Sequence, residues 1–294
     1  QSVAAVAAGQ PGFRGVSRTR LAVIGSPISH SKSPVMHRAA YRVLGLPWTY
    51  DAHDVTCATL GTFVASLDGT WRGLSLTMPL KRDVVPLLET ADETALLTGV
   101  ANTVLVTDDG LAGFNTDVSG IVHPLVAAAV SSPRHVLVLG AGATAGSAVA
   151  AAIRLGAGSI TVAARDTRRA TAVVELGERM GAPVVVRALS DVDGLMADVV
   201  INTLPGGAAG TVSFSREIRQ TSVLFDVIYD PWPTTIATSW MDVGGQVIPG
   251  IEMLLAQALR QVRVFVRGDP ELIVERETDV IKAMRATVVP SAIE

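Results

Sequence analysis

The stretch His135-Val-Leu-Val-Leu139-Gly140-Ala-Gly142-Ala-Thr-Ala145-Gly146 decides the fold. A strand-length apolar run enters a Gly-x-Gly-x-x-Ala turn, and an Ala-rich helical run follows. Gly140 permits the tight turn, Gly142 lets a pyrophosphate approach the backbone, and Ala145 allows close helix packing. The helix N-terminus then offers N–H donors and positive dipole to phosphates, so a dinucleotide is the expected ligand. The eighteen uncharged residues from Val136 to Ile153 have about the length of a membrane span. Gly140, Gly142 and Gly146 punctuate them, and a strand, a turn and a buried helix account for the run better.

Working outward, the strands expected beyond this turn are Ile160 to Ala163, Val184 to Val186, Val199 to Asn202 and Val223 to Val227, with helices in most of the gaps. That alternation is a doubly wound parallel sheet, a Rossmann domain placed at residues 118–249. The tip of the second strand reads Ala163-Ala164-Arg165-Asp166-Thr167-Arg168-Arg169. An acid there holds a free ribose 2′-OH, whereas arginines hold a 2′-phosphate. Three arginines favour NADP. Asp166 dissents, since it either bonds a free ribose or pairs with an arginine.

Before the Gly140 turn lies a smaller α/β unit at residues 20–117. Its expected strands are Leu21 to Ile24, Thr49 to Ala52, Gly73 to Thr77, Thr103 to Val106 and, after a hairpin at Asp109-Gly110, Leu111 to Phe114. Ser33 reads as a helix cap with Pro34 at the first helical position, and Gly45 closes that helix. Helical stretches follow near 57–67, 92–98 and 118–129. A last long helix runs from Ile251 to Val266, with Ile251, Leu254, Leu255, Ala258, Leu259 and Val262 as its apolar stripe and Gln257 well off it. Residues 1–19 read as a flexible leader.

Composition bounds the function. A chain of 294 residues, 49% hydrophobic, can bury two cores. The net charge of −3 supplies no basic surplus for nucleic acid or an anionic membrane. Cys57 is the one cysteine, so no internal disulfide and no Cys-His zinc cluster is expected, which fits a reducing, cytoplasmic setting. No metal site is expected.

Lys81 is one of three lysines among 24 basic residues. Arginine cannot release its proton near neutrality and lysine can, so a departure from the arginine habit marks a place where a proton moves, unless Lys81 is merely a solvated surface charge. Ser29, Ser31 and Ser33 cluster before a helix N-terminus, where hydroxyls and free N–H groups suit a small carboxylate; simple capping would need only Ser33. Asn102-Thr103 and Asn115-Thr116-Asp117 bracket the hairpin at the same end of neighbouring strands. That placement suits a polar pocket, although each pair is also ordinary turn chemistry.

Together, His30-Ser31-Lys32-Ser33-Pro34, Thr77-Met78-Pro79-Leu80-Lys81, Ala101-Asn102-Thr103, Asn115-Thr116-Asp117, the Gly140 loop with Arg165, and Leu255-Ala256-Gln257-Ala258 resemble the shikimate dehydrogenase family in order and spacing, over about residues 20–268. The resemblance implies an NADP-dependent enzyme interconverting 3-dehydroshikimate and shikimate, with a cleft between a substrate domain, completed by the C-terminal helices at 250–294, and the Rossmann domain. It implies Lys81 and Asp117 as the catalytic pair. Ser31, Ser33 and Tyr229 are implied at the substrate carboxylate, and Thr77, Asn102 and Gln257 at the ring hydroxyls or orienting Lys81. Gly140, Ala141, Gly142, Ala143 and Thr144 match the pyrophosphate loop, Ala164, Arg165 and Arg169 the adenosine phosphate end, and Val227 and Gly250 the nicotinamide end. Many members carry asparagine where this chain has Ser75. The expected partner is a small molecule, with the protein a monomer or homodimer. Two other readings stay open: an NAD-dependent quinate or aminoshikimate dehydrogenase, and a catalytically silent protein that keeps the fold.

Overall fold

The computed structural model describes residues 18–206 and 212–289. Two six-stranded sheets organise them. The first comprises β1 (Arg20–Gly25), β2 (Thr49–Asp54), β3 (Trp71–Leu76), β4 (Thr90–Ala91), β5 (Thr103–Thr107) and β6 (Gly110–Phe114), in the spatial order β2-β1-β3-β5-β6-β4. Strands β2, β1 and β3 run parallel, and β5 reverses against both β3 and β6. The β5–β6 turn pairs Thr107 with Gly110, as the Asp109-Gly110 hairpin predicts. Because successive strand residues face opposite sides, Leu21 and Val23 enter one apolar layer while Ala22 and Ile24 enter the other.

The second sheet is wholly parallel: β7 (His135–Leu139), β8 (Ser159–Ala164), β9 (Val184–Ala188), β10 (Val199–Asn202), β11 (Val223–Asp226) and β12 (Gln246–Pro249), in the order β12-β11-β10-β7-β8-β9. Strand order reverses between β7 and β10, which is where ligands of such sheets lie, beyond the carboxyl ends. Val136 and Val138 pack on one face and Leu137 and Leu139 on the other. The uncharged run at 136–153 thus divides into β7, the glycine turn and α5 (below), and among the described residues no helix is long and apolar enough to cross a membrane.

The α-helices are α1 (Ser33–Val43), α2 (Cys57–Ala65), α3 (Glu93–Thr98), α4 (Asp117–Ala127), α5 (Ala143–Arg154), α6 (Thr171–Arg179), α7 (Arg216–Thr221), α8 (Thr235–Met241), α9 (Gly250–Arg267) and α10 (Glu277–Ala286). Gly45 follows α1 with φ of 66°, the left-handed turn its sequence position requires. Asp92 caps α3 by accepting from the Ala95 N–H at 2.6 Å.

Three expectations need correction. Residues 1–17 of the expected leader lie outside the described residues, but residues 18 and 19 are tied down: the Thr19 N–H donates to the Thr70 carbonyl, and Arg18 reaches the Val106 carbonyl and Asp108. Ser33 is not the cap of α1. That position falls to Lys32, and the Ser33 N–H instead donates to Ser31 Oγ at 3.3 Å, while the Ser33 hydroxyl is hydrogen-bonded with Tyr50. The single stripe on α9 is too narrow a reading. Ile251 and Leu254 are only half-buried, while Gln257, Arg260, Gln261 and Arg263 are buried. The cause is that α9 lies between the first sheet and α4, α1 and α10, so several of its faces are covered and its polar groups must find partners.

Candidate active site

The site forms where β1, β3 and β6 end and β5 begins. After β3 the chain turns through residues 77–82, anchored by fully buried Leu80, and the Ala101 N–H donates to the Lys81 carbonyl at 2.8 Å. This places Lys81 beside Asn102 at the start of β5. The register sets Ser75 against Thr103 and Thr103 against Phe114, so Asn102 and Asn115 sit side by side, as their flanking of the hairpin predicts. Asp117 then opens α4, where the helix dipole favours an acid.

Lys81 Nζ donates to Asp117 Oδ2 at 2.6 Å, with 14% of the lysine side chain and 3% of the aspartate exposed. The other carboxylate oxygen accepts from Asn102 Nδ2 at 2.8 Å. Thr116 fixes which way that amide faces, because its backbone N–H can only donate and does so to Asn102 Oδ1 at 2.9 Å. Asn102 Nδ2 also approaches Gln257 Oε1 at 3.3 Å, and Gln257 spends one amide hydrogen on the Leu254 carbonyl. Gly120 lets α4 come this close to α9, since a Cβ there would stand 2.9 Å from the Gln257 Cβ.

A cavity of about 250 Å³ opens over this pair, and every residue matched to the substrate end lines it: Ser31, Ser33, Thr77, Lys81, Asn102, Asp117, Tyr229 and Gln257. A larger cleft of about 1430 Å³ adjoins it, sharing His30, Thr77, Lys81, Thr144, Val227 and Tyr229 as a common wall. Its lining includes residues 140–144, Ala164, Arg165, Arg169 and Val227, while Gly250 lies on the smaller cavity's side. Tyr229 is half-buried, and burial together with neighbouring Asp230 raises its phenol above the ordinary range.

The larger cleft fits a phosphorylated dinucleotide. Gly140 has φ of 112° and presses against Thr203, whose hydroxyl donates to the Leu139 carbonyl and braces the turn. Gly142 begins the turn into α5 with open space where a Cβ would project, the approach a pyrophosphate needs. Arg165 and Arg169 are exposed to the cleft and form no ion pair among the described residues. Asp166 is paired with an arginine: each of its oxygens accepts from the Arg168 guanidinium, at 2.9 and 3.1 Å, and this holds the carboxyl below its usual range. Gly250 is required on steric grounds, because a Cβ there would run into the Val227 carbonyl.

Sequence reading leaves Ser75 out of the site and passes over several other groups. Ser75 and Gln261 also line the smaller cavity, and fully buried His37 and Tyr50 lie behind them. Helix spacing carries the signal: Gln261 stands one turn beyond Gln257, and His37 one turn beyond Ser33, on the same helix faces.

Comparison with known proteins agrees with this geometry. A family model described as the shikimate dehydrogenase substrate binding domain matches residues 23–104. The shikimate dehydrogenase (NADP(+)) of Oleidesulfovibrio alaskensis is 33% identical over 258 residues, covering 85% of this chain and 90% of the relative. Among solved structures, shikimate dehydrogenase of Mycobacterium tuberculosis superposes with a TM-score of 0.80 at 37% identity, over 91% of this chain and 99% of that one. Shikimate 5-dehydrogenase of Thermus thermophilus, solved in complex with NADP(H) and shikimate, superposes with a TM-score of 0.77 at 28% identity, over 92% and 99% of the two chains. An amine paired with a buried acid, beside a glycine turn and two cleft-facing arginines, thus sits in a chain that belongs to the shikimate dehydrogenase family.

Proposed function

We propose that this protein is an NADP-dependent oxidoreductase that reduces 3-dehydroshikimate to shikimate, reversibly, with Lys81 and Asp117 at the reacting hydroxyl. The observation that carries the reading is the Lys81–Asp117 contact at the wall common to the two cavities, where a small ring acid and a nicotinamide would meet. NADP(H) bound in the larger cleft supplies or accepts the hydride. As hydride reaches the ring carbonyl carbon, its oxygen gains negative charge and needs a proton. The Lys81 ammonium gives that proton and lends positive charge beforehand, and its partial exposure allows reprotonation from solvent. Asp117, held by Asn102, keeps the ammonium in place.

In this reading Ser31 and Ser33 bind the ring carboxylate, with Tyr229 closing over it. Thr77 and Gln257 take ring hydroxyls; Gln257 retains one amide hydrogen for this. Residues 140–144 cradle the pyrophosphate, Arg165 and Arg169 flank the 2′-phosphate beside Ala164, and Val227 and Gly250 border the nicotinamide. Residues 20–117 with 250–294 form the substrate half and 118–249 the cofactor half. A cytoplasmic enzyme, monomeric or homodimeric, completes the proposal.

The test is a rate comparison of shikimate with NADP⁺ and NAD⁺, in the parent and in Lys81→Arg. NADP⁺ is expected to be preferred. Lys81→Arg should keep the KM for shikimate and lose roughly two orders of magnitude in kcat, the size of a general-acid contribution. A fully active Lys81→Arg protein removes Lys81 from proton transfer, and absence of any shikimate oxidation removes the function.

A further inference from the structure

Behind the catalytic pair lies a buried chain of polar groups with a single consistent direction. Gln261, on α9, is at its centre. Its Nε2 donates to the Asn102 backbone carbonyl at 3.0 Å and to Thr103 Oγ1 at 3.1 Å. Its Oε1 accepts from Ser75 Oγ at 2.8 Å and faces His37 Nε2 at 3.2 Å. Two donors and two acceptances exhaust the amide, so Gln261 has nothing left for a ligand although it lines the cavity. Gln257, one turn earlier, is the glutamine with hydrogen-bonding capacity to spare.

The direction of the amide is fixed. The Asn102 carbonyl can only accept, so Nε2 must face it. Oε1 therefore faces His37, which must carry its proton on Nε2 and accept at Nδ1 from the Tyr41 hydroxyl, 3.1 Å away. Burial lowers His37 to about 3, so the ring is neutral at working pH and presents one N–H only. It is stacked on Tyr50 at 4.1 Å, and the Tyr50 hydroxyl donates to Ser75 Oγ at 2.6 Å. Forward of Gln261, Thr103 Oγ1 accepts from it and donates to Asn102 Oδ1 at 2.9 Å. Asn102 then points its Nδ2 at Asp117 Oδ1.

We propose that Gln261 is a positioning residue of the active site, acting through Thr103 and Asn102 to hold Asp117, and with it Lys81, in reacting geometry. A reversed Gln261 amide would face the Thr103 oxygen with a second acceptor. Thr103 would then turn its hydrogen away from Asn102, which would lose one of the donors that keep its own amide aimed at the carboxylate. The inference rests on the Lys81 and Asp117 assignment above.

The experiment measures kcat and KM for shikimate and NADP⁺ in Gln261→Leu, Thr103→Val, Thr103→Ser and Asn102→Ala, and in Gln261→Leu combined with Asn102→Ala. Thr103→Val keeps the shape of a residue with no exposed surface and removes only the link; Thr103→Ser restores it. Expected are about tenfold to a hundredfold losses of kcat in Gln261→Leu and Thr103→Val with KM within about twofold, the signature of a misplaced catalytic group. Thr103→Ser should return to within about twofold of the parent, and the double variant should be no slower than Asn102→Ala alone. Parental kcat in Thr103→Val, a Thr103→Ser as slow as Thr103→Val, or losses that multiply in the double variant would each overturn the inference. Should Gln261→Leu not fold, the Thr103 pair decides alone. Lys81→Met, assayed beside them, tests the underlying assignment: if it matches the parent, that assignment fails and this inference with it. If it is inactive and the Thr103 series is flat, only the role of Gln261 falls.

Discussion

Asp166 shows how one side chain can contradict its sequence context without changing the outcome. The position where an acid selects NAD is held by Ala164 at the end of β8; Asp166 stands two residues beyond it, and Arg168 chelates it with two guanidinium bonds and a backbone N–H at 3.1 Å. The pair is exposed, so its worth to folding is small. Its worth to selectivity is larger, because an unchelated carboxylate would repel a 2′-phosphate and offer an acceptor to a free 2′-OH. Arg168→Ala should therefore leave stability within about 0.5 kcal/mol. The ratio of kcat/KM for NADP⁺ over NAD⁺ should fall by about fivefold, the equivalent of about 1 kcal/mol, and the fall should shrink at high salt. An unchanged ratio would mean that Asp166 does not sense the adenosine phosphate at all.

At the scale of elements, the segment after β11 couples the two cavities. Residues 227–231 line one or both of them, and Asp226, fully buried at the end of β11, holds their base. Its carboxylate accepts from the Thr234 hydroxyl, the Ile228 N–H and Asn202 Nδ2, and its pKa is raised by burial against these opposing bonds. Asp226→Ala would leave three donors without their acceptor, at a cost of about 2 kcal/mol or more. Thermal denaturation should show a Tm lower by about 5 °C, and steady-state kinetics a KM raised for shikimate and NADP⁺ together. A rise in only one KM would show that the segment does not move as a unit. The same scale explains what sequence could reveal. The parallel sheet was legible because β7 and β10 are apolar on both faces, and the glycine turn because Gly140 needs its positive φ. The matched residues that line the two cavities were legible through their motifs. Gln261 and His37 left only the trace of helix spacing and Tyr50 none, because the meaning of a polar residue satisfied inside the protein lies in partners as far away as the 224 positions that separate His37 from Gln261.

At the scale of the molecule, the two sheets are joined firmly on one side and loosely on the other. On the firm side Asn115 donates to the buried hydroxyl of Ser147 on α5, while Arg154 and Arg179 reach from α5 and α6 to Thr94 and to the Leu97 carbonyl of α3. Helices α4 and α9 also pack together along the passage between the domains. Across the mouth, among the described residues, stand Lys32 with Asp230 at 3.9 Å and Lys32 above the Tyr229 ring at 5.7 Å, both partly exposed and so worth little. A hinge at Asn115 and Ser147, with the mouth opening at Lys32, is what this asymmetry predicts. Spin labels on Cys57, which is exposed, and on a cysteine replacing exposed Asp193 of the other domain would report the motion. Shikimate with NADP⁺ should narrow the distance distribution and shift it by about 2 Å or more, because ligands filling both cavities add contacts across the mouth. Lys32→Ala should broaden the distribution of the free protein and leave that of the liganded protein unchanged, since there the ligands replace the lost pair. If ligands leave the distribution as it was, the cleft is rigid and the firm and loose sides differ in strength without differing in motion.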